Sequence, residues 1–127
     1  MADLNAQNRA VWFDIPVTNL ERASRFYAEV LAISVQQETF GGKPFAVLEH
    51  SEGNGGCLIP HPPEEISDRG LILYLNAEGR LREAVKKTTE NGGKILKDTH
   101  SIGPHGFIAI VLDSEGNRIA LHSNQDA

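Results

Sequence analysis

The sequence predicts an α+β fold made of two tandem βαβββ modules, and two observations lead there. Ser-Glu-Gly-Asn occurs at 51–54 and again at 114–117, an offset of 63 in a chain of 127 residues. The flanks repeat as well: Ala46, Val47 and Leu48 face Ala109, Ile110 and Val111, while Cys57 and Leu58 face Ala120 and Leu121. Each copy reads as an apolar run, a Gly-Asn turn and a second apolar run. Fixed-period self-similarity of this kind marks a duplicated unit. The second observation is that each half carries the same order of strand and helix signals. The first strands align at an offset near 60, which sets Trp12 opposite Ile72 and Val17 opposite Ala77. A site in such a chain is expected to be shared by equivalent positions of both halves.

Residues 1–10 are polar and read as a loose tail. Val11–Val17 is a strand by its β-branched and aromatic content, with Phe13, Ile15 and Val17 on one face. Thr18-Asn-Leu-Glu21 has the form of a capping box, followed by Leu20, Ala23, Phe26, Tyr27, Val30 and Leu31 at helical spacing. Ile33–Phe40 and Pro44–His50 read as strands around a Gly41-Gly42-Lys43 turn, and Cys57–Ile59 as a fourth short strand. Pro60-His61-Pro62-Pro63 and the polar residues to Arg69 form the linker. Module one therefore spans about 11–60, the linker 60–70 and module two about 71–123, within a single domain of 1–127.

In module two, Leu71–Ala77 is a strand with Leu71, Leu73 and Leu75 on one face and Ile72, Tyr74 and Asn76 on the other. Leu81, Ala84, Val85 and Thr88 mark a helix ended by Asn91-Gly92-Gly93. Strands follow near Lys94–Asp98, Phe107–Asp113 and Arg118–His122, with Gly103-Pro104-His105-Gly106 as a turn. Gly41-Gly42 and Gly55-Gly56 precede no helix, so they read as hairpin turns and not as phosphate loops.

Composition narrows the function. The net charge is −5 with no basic run, which argues against nucleic acid as a partner. One cysteine excludes an intrachain disulfide and a thiolate zinc cluster. No apolar stretch approaches the ~18 residues of a membrane span, and the first residues lack the pattern of a signal peptide. A cytoplasmic protein is expected.

Val17-Thr-Asn-Leu-Glu-Arg-Ala-Ser-Arg-Phe-Tyr27 with Val30-Leu31 resembles a recurrent segment of the vicinal-oxygen-chelate superfamily, as do Asn91-Gly-Gly93 and Asp113-Ser-Glu-Gly-Asn-Arg-Ile119. That superfamily includes glyoxalase I, extradiol dioxygenases and the fosfomycin- and bleomycin-resistance proteins. Asn19 stands where the family pattern has Asp, and Ala32 where it has Gly. The resemblance covers nearly the whole chain. It implies that the two modules form an open, cupped mixed sheet, and a homodimer is expected on the same basis. It also implies that metal-using members draw ligands from the first and last strands of each module. Carried over by the repeat, those positions are Trp12, Cys57 (Leu58 if the gap shifts), Ile72 and Ala120. A divalent ion needs several oxygen or imidazole donors, so no metal and no cofactor is expected.

If the helices cover Phe13, Ile15, Val17 and their module-two equivalents, alternation turns the opposite faces toward the cup. Those residues are Trp12, Asp14, Cys57, Ile59, Ile72, Tyr74, Asn76, Ala120 and His122. Aromatic groups interleaved with Asp, Asn and His have the composition of a small-molecule site. Asp14 and His122 are the candidate catalytic pair, since an Asp that orients an imidazole gives a general base near neutral pH. The same two residues equally suit a buried hydrogen bond that only joins strands. Tyr74 either donates to a bound oxygen or packs its ring with a wet hydroxyl, and Trp12 either stacks on a planar ligand or fills space. Cys57, with no cation beside it in sequence, reads as an inert thiol. Two functions remain open: a glyoxalase-like protein that binds a small organic ligand without the usual metal, or a metal-free isomerase or lyase using Asp14 and His122.

Overall fold

The computed structural model describes residues 8–127 and contains two four-stranded mixed sheets, each with one helix. Most of the expected tail lies outside the described residues. The element order is β1 (Trp12–Val17), α1 (Leu20–Leu31), β2 (Val35–Phe40), β3 (Lys43–Leu48), β4 (Gly55–Pro60), β5 (Leu73–Asn76), α2 (Leu81–Glu90), β6 (Lys94–Ser101), β7 (Phe107–Leu112) and β8 (Arg118–Ser123). The sheets run β1-β4-β3-β2 and β5-β8-β7-β6, with β1 parallel to β4 and β5 parallel to β8. The two modules therefore repeat one topology, and the open α+β arrangement expected from the doubled turn is present.

Both helices are held by a narrow apolar stripe. Helix α1 buries Ala23, Phe26, Tyr27 and Val30, and α2 buries Leu81, Ala84 and Thr88. One hydrophobic cluster joins these residues, Thr88 excepted, to Ile15, Val17 and Leu58 of the first sheet and to Leu75, Val111 and Leu121 of the second. The helices touch each other as well as their own sheets. The core thus lies on the helix side of both sheets and leaves the opposite faces free. No helix among the described residues is long and apolar enough to cross a membrane.

The ends of the elements correct several expectations. The N-cap of α1 is Asn19, whose Oδ1 accepts Arg22 N at 2.9 Å, and not Thr18. Glu21 stays in solvent, and the Thr18 and Asn19 amides donate instead to Glu115 at 3.0 and 2.9 Å. A carboxylate from the second module thus does the work assigned to a local capping box. Strand β5 begins at Leu73, because Leu71 is 97% exposed and has no sheet partner. Ile72 consequently falls outside the strand. Gly41 and Gly42, at φ 59° and 77°, do form the tight turn between β2 and β3. Gly55 and Gly56 instead lie buried inside β4, where a side chain would meet the His50 and Phe13 rings.

Ala32 ends α1 at φ 56° and ψ 50°, the left-handed geometry that glycine adopts without strain. Replacing Ala32 by Gly is therefore expected to stabilise the protein by about 1 kcal/mol, the strain of a Cβ there less the added flexibility of the unfolded chain. Urea denaturation measures it; a lower midpoint for the variant refutes it.

Candidate functional site

The register brings equivalent positions of the two modules to equivalent places. Asp14 pairs with Cys57 across β1 and β4, and Tyr74 with Ala120 across β5 and β8. Asn76 pairs with His122. Trp12 and Asp14 share the face of β1 opposite the buried Ile15 and Val17, as Tyr74 and Asn76 oppose Leu75. Trp12 is 45% and Tyr74 53% exposed, and Asp14 and Asn76 are also open to solvent. Behind them Cys57 and Ala120 are buried and His122 is half-buried. Ile72, half-buried before β5 begins, contributes from outside the sheet.

The predicted catalytic residues have separate partners. The Cys57 thiol donates to Asp14 Oδ1 at 3.2 Å. Burial pushes the Cys57 thiol up, and its bond to Asp14 pushes the same way, so the group is a donor and a poor nucleophile. His122 Nε2 donates to the backbone oxygen of His105 at 2.6 Å. A carbonyl can only accept, so Nε2 carries a proton in this contact. His122 also faces the Tyr74 ring, with centroids 6.4 Å apart. No hydrogen bond joins Asp14 to His122. Trp12 meets His50 edge to face at 5.4 Å.

A seam separates the two sheets. Phe13 shares a cavity of about 480 Å³ with Tyr74, Leu75, Asn76 and Ala77. A second cavity, of about 370 Å³, groups Asp14 and Pro16 with Leu71, Leu73 and Arg118. This order runs the edges of β1 and β5 in opposite directions. Tyr74 and Asn76 of the exposed face line the first cavity and Asp14 the second, whereas Trp12, Cys57, Ala120 and His122 line neither. Phe13 lines both, and Gly56 leaves room for its ring. Sequence alternation assigned Phe13 to the core and gave no role to Arg118 or the linker. The only available signal was that Arg118 directly follows the repeated turn.

The second Ser-Glu-Gly-Asn turn locks the modules together at the far side. Arg22 Nε and Nη2 contact the two Glu115 oxygens at 2.7 and 2.8 Å, and Ser114 Oγ donates to Oε2 at 2.9 Å. Burial alone would push the Glu115 carboxyl up; the bonds from Arg22, Asn19 and Ser114 outweigh it and hold the group below its ordinary 4.5. The anion also sits at the N-terminus of α1, where the helix dipole favours it. A depressed folded value means that this stabilisation is complete above about pH 4.5 and is lost as pH falls through the folded value. Glu115→Gln is expected to cost about 1 kcal/mol at pH 7, limited by the half-exposed Arg22, and to flatten the acid limb of a stability–pH curve. Equal acid sensitivity in the variant and the parent protein would refute the assignment.

The residues at the family's metal positions do not fit a divalent ion. Trp12, Ile72 and Ala120 supply no donor, and the Cys57 thiol is already bonded to Asp14. Among the described residues, no group of three or more His, Cys, Asp or Glu is arranged to hold one.

Residues 9–121 match the model of the glyoxalase/bleomycin resistance protein/dioxygenase superfamily. The chain is 31% identical over 113 residues to a glyoxylase-like domain-containing protein of Didymella fabae, covering 85% of this chain and 88% of that one. Among solved structures, a glyoxalase/bleomycin resistance protein from Albidiferax ferrireducens superposes with a TM-score of 0.72 at 16% identity, covering 91% of this chain and 98% of the other. A mutant of the Listeria monocytogenes fosfomycin resistance protein, solved with manganese(II) and a dihydroxypropylphosphonic acid, gives 0.69 at 11% identity over 94% and 92%. At these identities the structural likeness speaks for the fold alone.

Proposed function

The chain belongs to the glyoxalase/bleomycin resistance protein/dioxygenase superfamily, and from that premise we propose that it binds a small organic ligand on the concave face between its sheets without a divalent metal. One observation carries the reading: Trp12, Asp14, Tyr74 and Asn76 stand exposed on the face opposite the core, on strands equivalent by the internal repeat. Rigid aromatic surface with a few convergent polar groups is what a small-molecule site requires, and a face meant only for packing would bury it. The donor-poor set Trp12, Cys57, Ile72 and Ala120 supports metal independence.

Binding without chemistry is favoured over turnover because Asp14 and His122 are each committed elsewhere. A metal-free isomerase or lyase step is the second reading. The nearness of the His122 ring to Tyr74 favours it. In that reading His122 takes the proton and Tyr74 supports the substrate oxygen, while Asp14 acts only through a rearranged contact. A homodimer is carried forward on the edge strands β2 and β6, where Phe40 (83%) and Leu96 (45%) are exposed; light scattering reads it.

The test is a thermal-shift screen of metabolites followed by Trp12 fluorescence. Hits are expected to quench the single tryptophan and to emerge chemically unchanged after long incubation. Hits converted to product, with conversion lost in His122→Gln, would establish the second reading. Stoichiometric divalent metal in the purified protein would remove the metal-free claim, and a screen without hits would remove the binding site.

A further inference from the structure

The end of the seam beneath the linker contains an unmet cation. Arg118 opens β8 two residues before Ala120, so it shares the concave face, and it lines the cavity of about 370 Å³. Its Nη2 donates to the linker carbonyl of Gly70 at 2.9 Å, which fixes the guanidinium. Its Nε is shut off from water and has no hydrogen-bond partner. Buried donors are nearly always satisfied, so an orphaned guanidinium N–H asks for an acceptor that a small turn of the side chain would bring within reach.

We propose that this cavity is an anion anchor: Arg118, assisted by Arg69, receives the carboxylate of a small monocarboxylic acid whose apolar body lies along the seam. Both arginines line the cavity, and Arg69 has only a distant neighbour in Asp68 at 3.8 Å. Phe13, Ile15, Leu71, Leu73 and Ile119 provide the apolar wall, which leaves Leu71 an occupant for its otherwise solvent-facing side chain. Asp14 and Glu65 line the cavity too, and Glu65 also meets His61 Nδ1 at 2.9 Å. Two carboxylates against two arginines leave no surplus positive charge, so a single carboxylate must be held by direct bonds to Arg118, and the second charge of a phosphate dianion meets repulsion. Asp14 belongs to the concave site and this cavity alike, and the inference rests on the ligand-binding reading of that site.

The experiment is calorimetric titration of the full chain with phenylacetate, phenylacetamide and inorganic phosphate. Phenylacetate is expected to bind at least ten-fold more tightly than its neutral amide, and phosphate not to compete. Arg118→Met is expected to weaken phenylacetate at least ten-fold and so remove that preference. Arg69→Glu, on an exposed linker side chain, is expected to weaken phenylacetate several-fold, and it covers the case in which Arg118→Met does not fold. Equal affinities for acid and amide, or acid affinity unmoved by both variants, would overturn the anchor and leave the orphaned Nε to water. Neutral ligands that quench Trp12 while phenylacetate does not bind would sink the anchor alone. No binding by any probe or library compound would sink the underlying site with it.

Discussion

Asp113→Ala is expected to destabilise the protein by about 3–5 kcal/mol, the cost of stranding buried groups around a lost charge. Asp113 is buried at the end of β7, and its carboxylate is filled on both sides. Oδ1 accepts the Glu115 and Asn117 amides at 2.8 and 2.9 Å, and Oδ2 accepts Asn117 Nδ2 at 2.9 Å and the Tyr27 hydroxyl at 2.5 Å. Tyr27 is fully buried in α1, and burial first, then the Asp113 charge and hydrogen bond, push its hydroxyl well above the ordinary value. It is therefore a permanent donor. Asn117 passes the connection on to Pro16 O at 2.8 Å, so one carboxylate ties β1, α1 and the β7–β8 turn. Against a typical stability of about 5–15 kcal/mol, losing it leaves a marginal fold. Tyr27→Phe keeps three of the four donors and should cost only about 1–2 kcal/mol. Urea denaturation of both variants checks the ranking. An Asp113→Ala protein within about 1 kcal/mol of the parent would show that the network is ornamental.

Gly93→Ala should be nearly as damaging, at about 3 kcal/mol, because no neighbour can yield. A Cβ there would lie 2.6 Å from Leu112 O, 2.6 Å from Thr88 Cγ2 and 2.8 Å from Phe26 Cε2. The first is backbone. Thr88 is pinned by its own bond to Ala84 O at 2.8 Å, and Phe26 is wholly buried. Gly93 thus lies where side chains of both helices and the β7 backbone converge, and a methyl must displace at least one of them. A melting temperature unchanged in the variant would mean that the contact relaxes more freely than this packing allows.

The doubled tetrapeptide made the architecture legible because a hairpin is local: its turn, its two apolar runs and their spacing all lie within twenty or so residues. The alternation of β1 likewise located the concave residues Trp12 and Asp14. What could not be read was anything resting on contacts distant in sequence. The acceptor of the Thr18 and Asn19 amides is Glu115, and the role of Gly56 needed the Phe13 ring. Asp14 and His122 are both on strands facing the cup, but spacing cannot reveal that a thiol and a backbone carbonyl reach them first. Arg118 was hidden because an arginine after a turn is usually solvated; only its enclosure beside a cavity makes it unusual.

The carboxylate that completes α1 has a consequence in time. The helix is synthesised before the second module, yet the acceptor for its Asn19 amide is 96 residues downstream. Until that residue is synthesised, the first module presents open backbone donors and an unpaired Arg22. The nascent chain therefore cannot finish one repeat and then the other. Its closing step brings Glu115 back to α1, a contact far apart in sequence of the kind that slows folding.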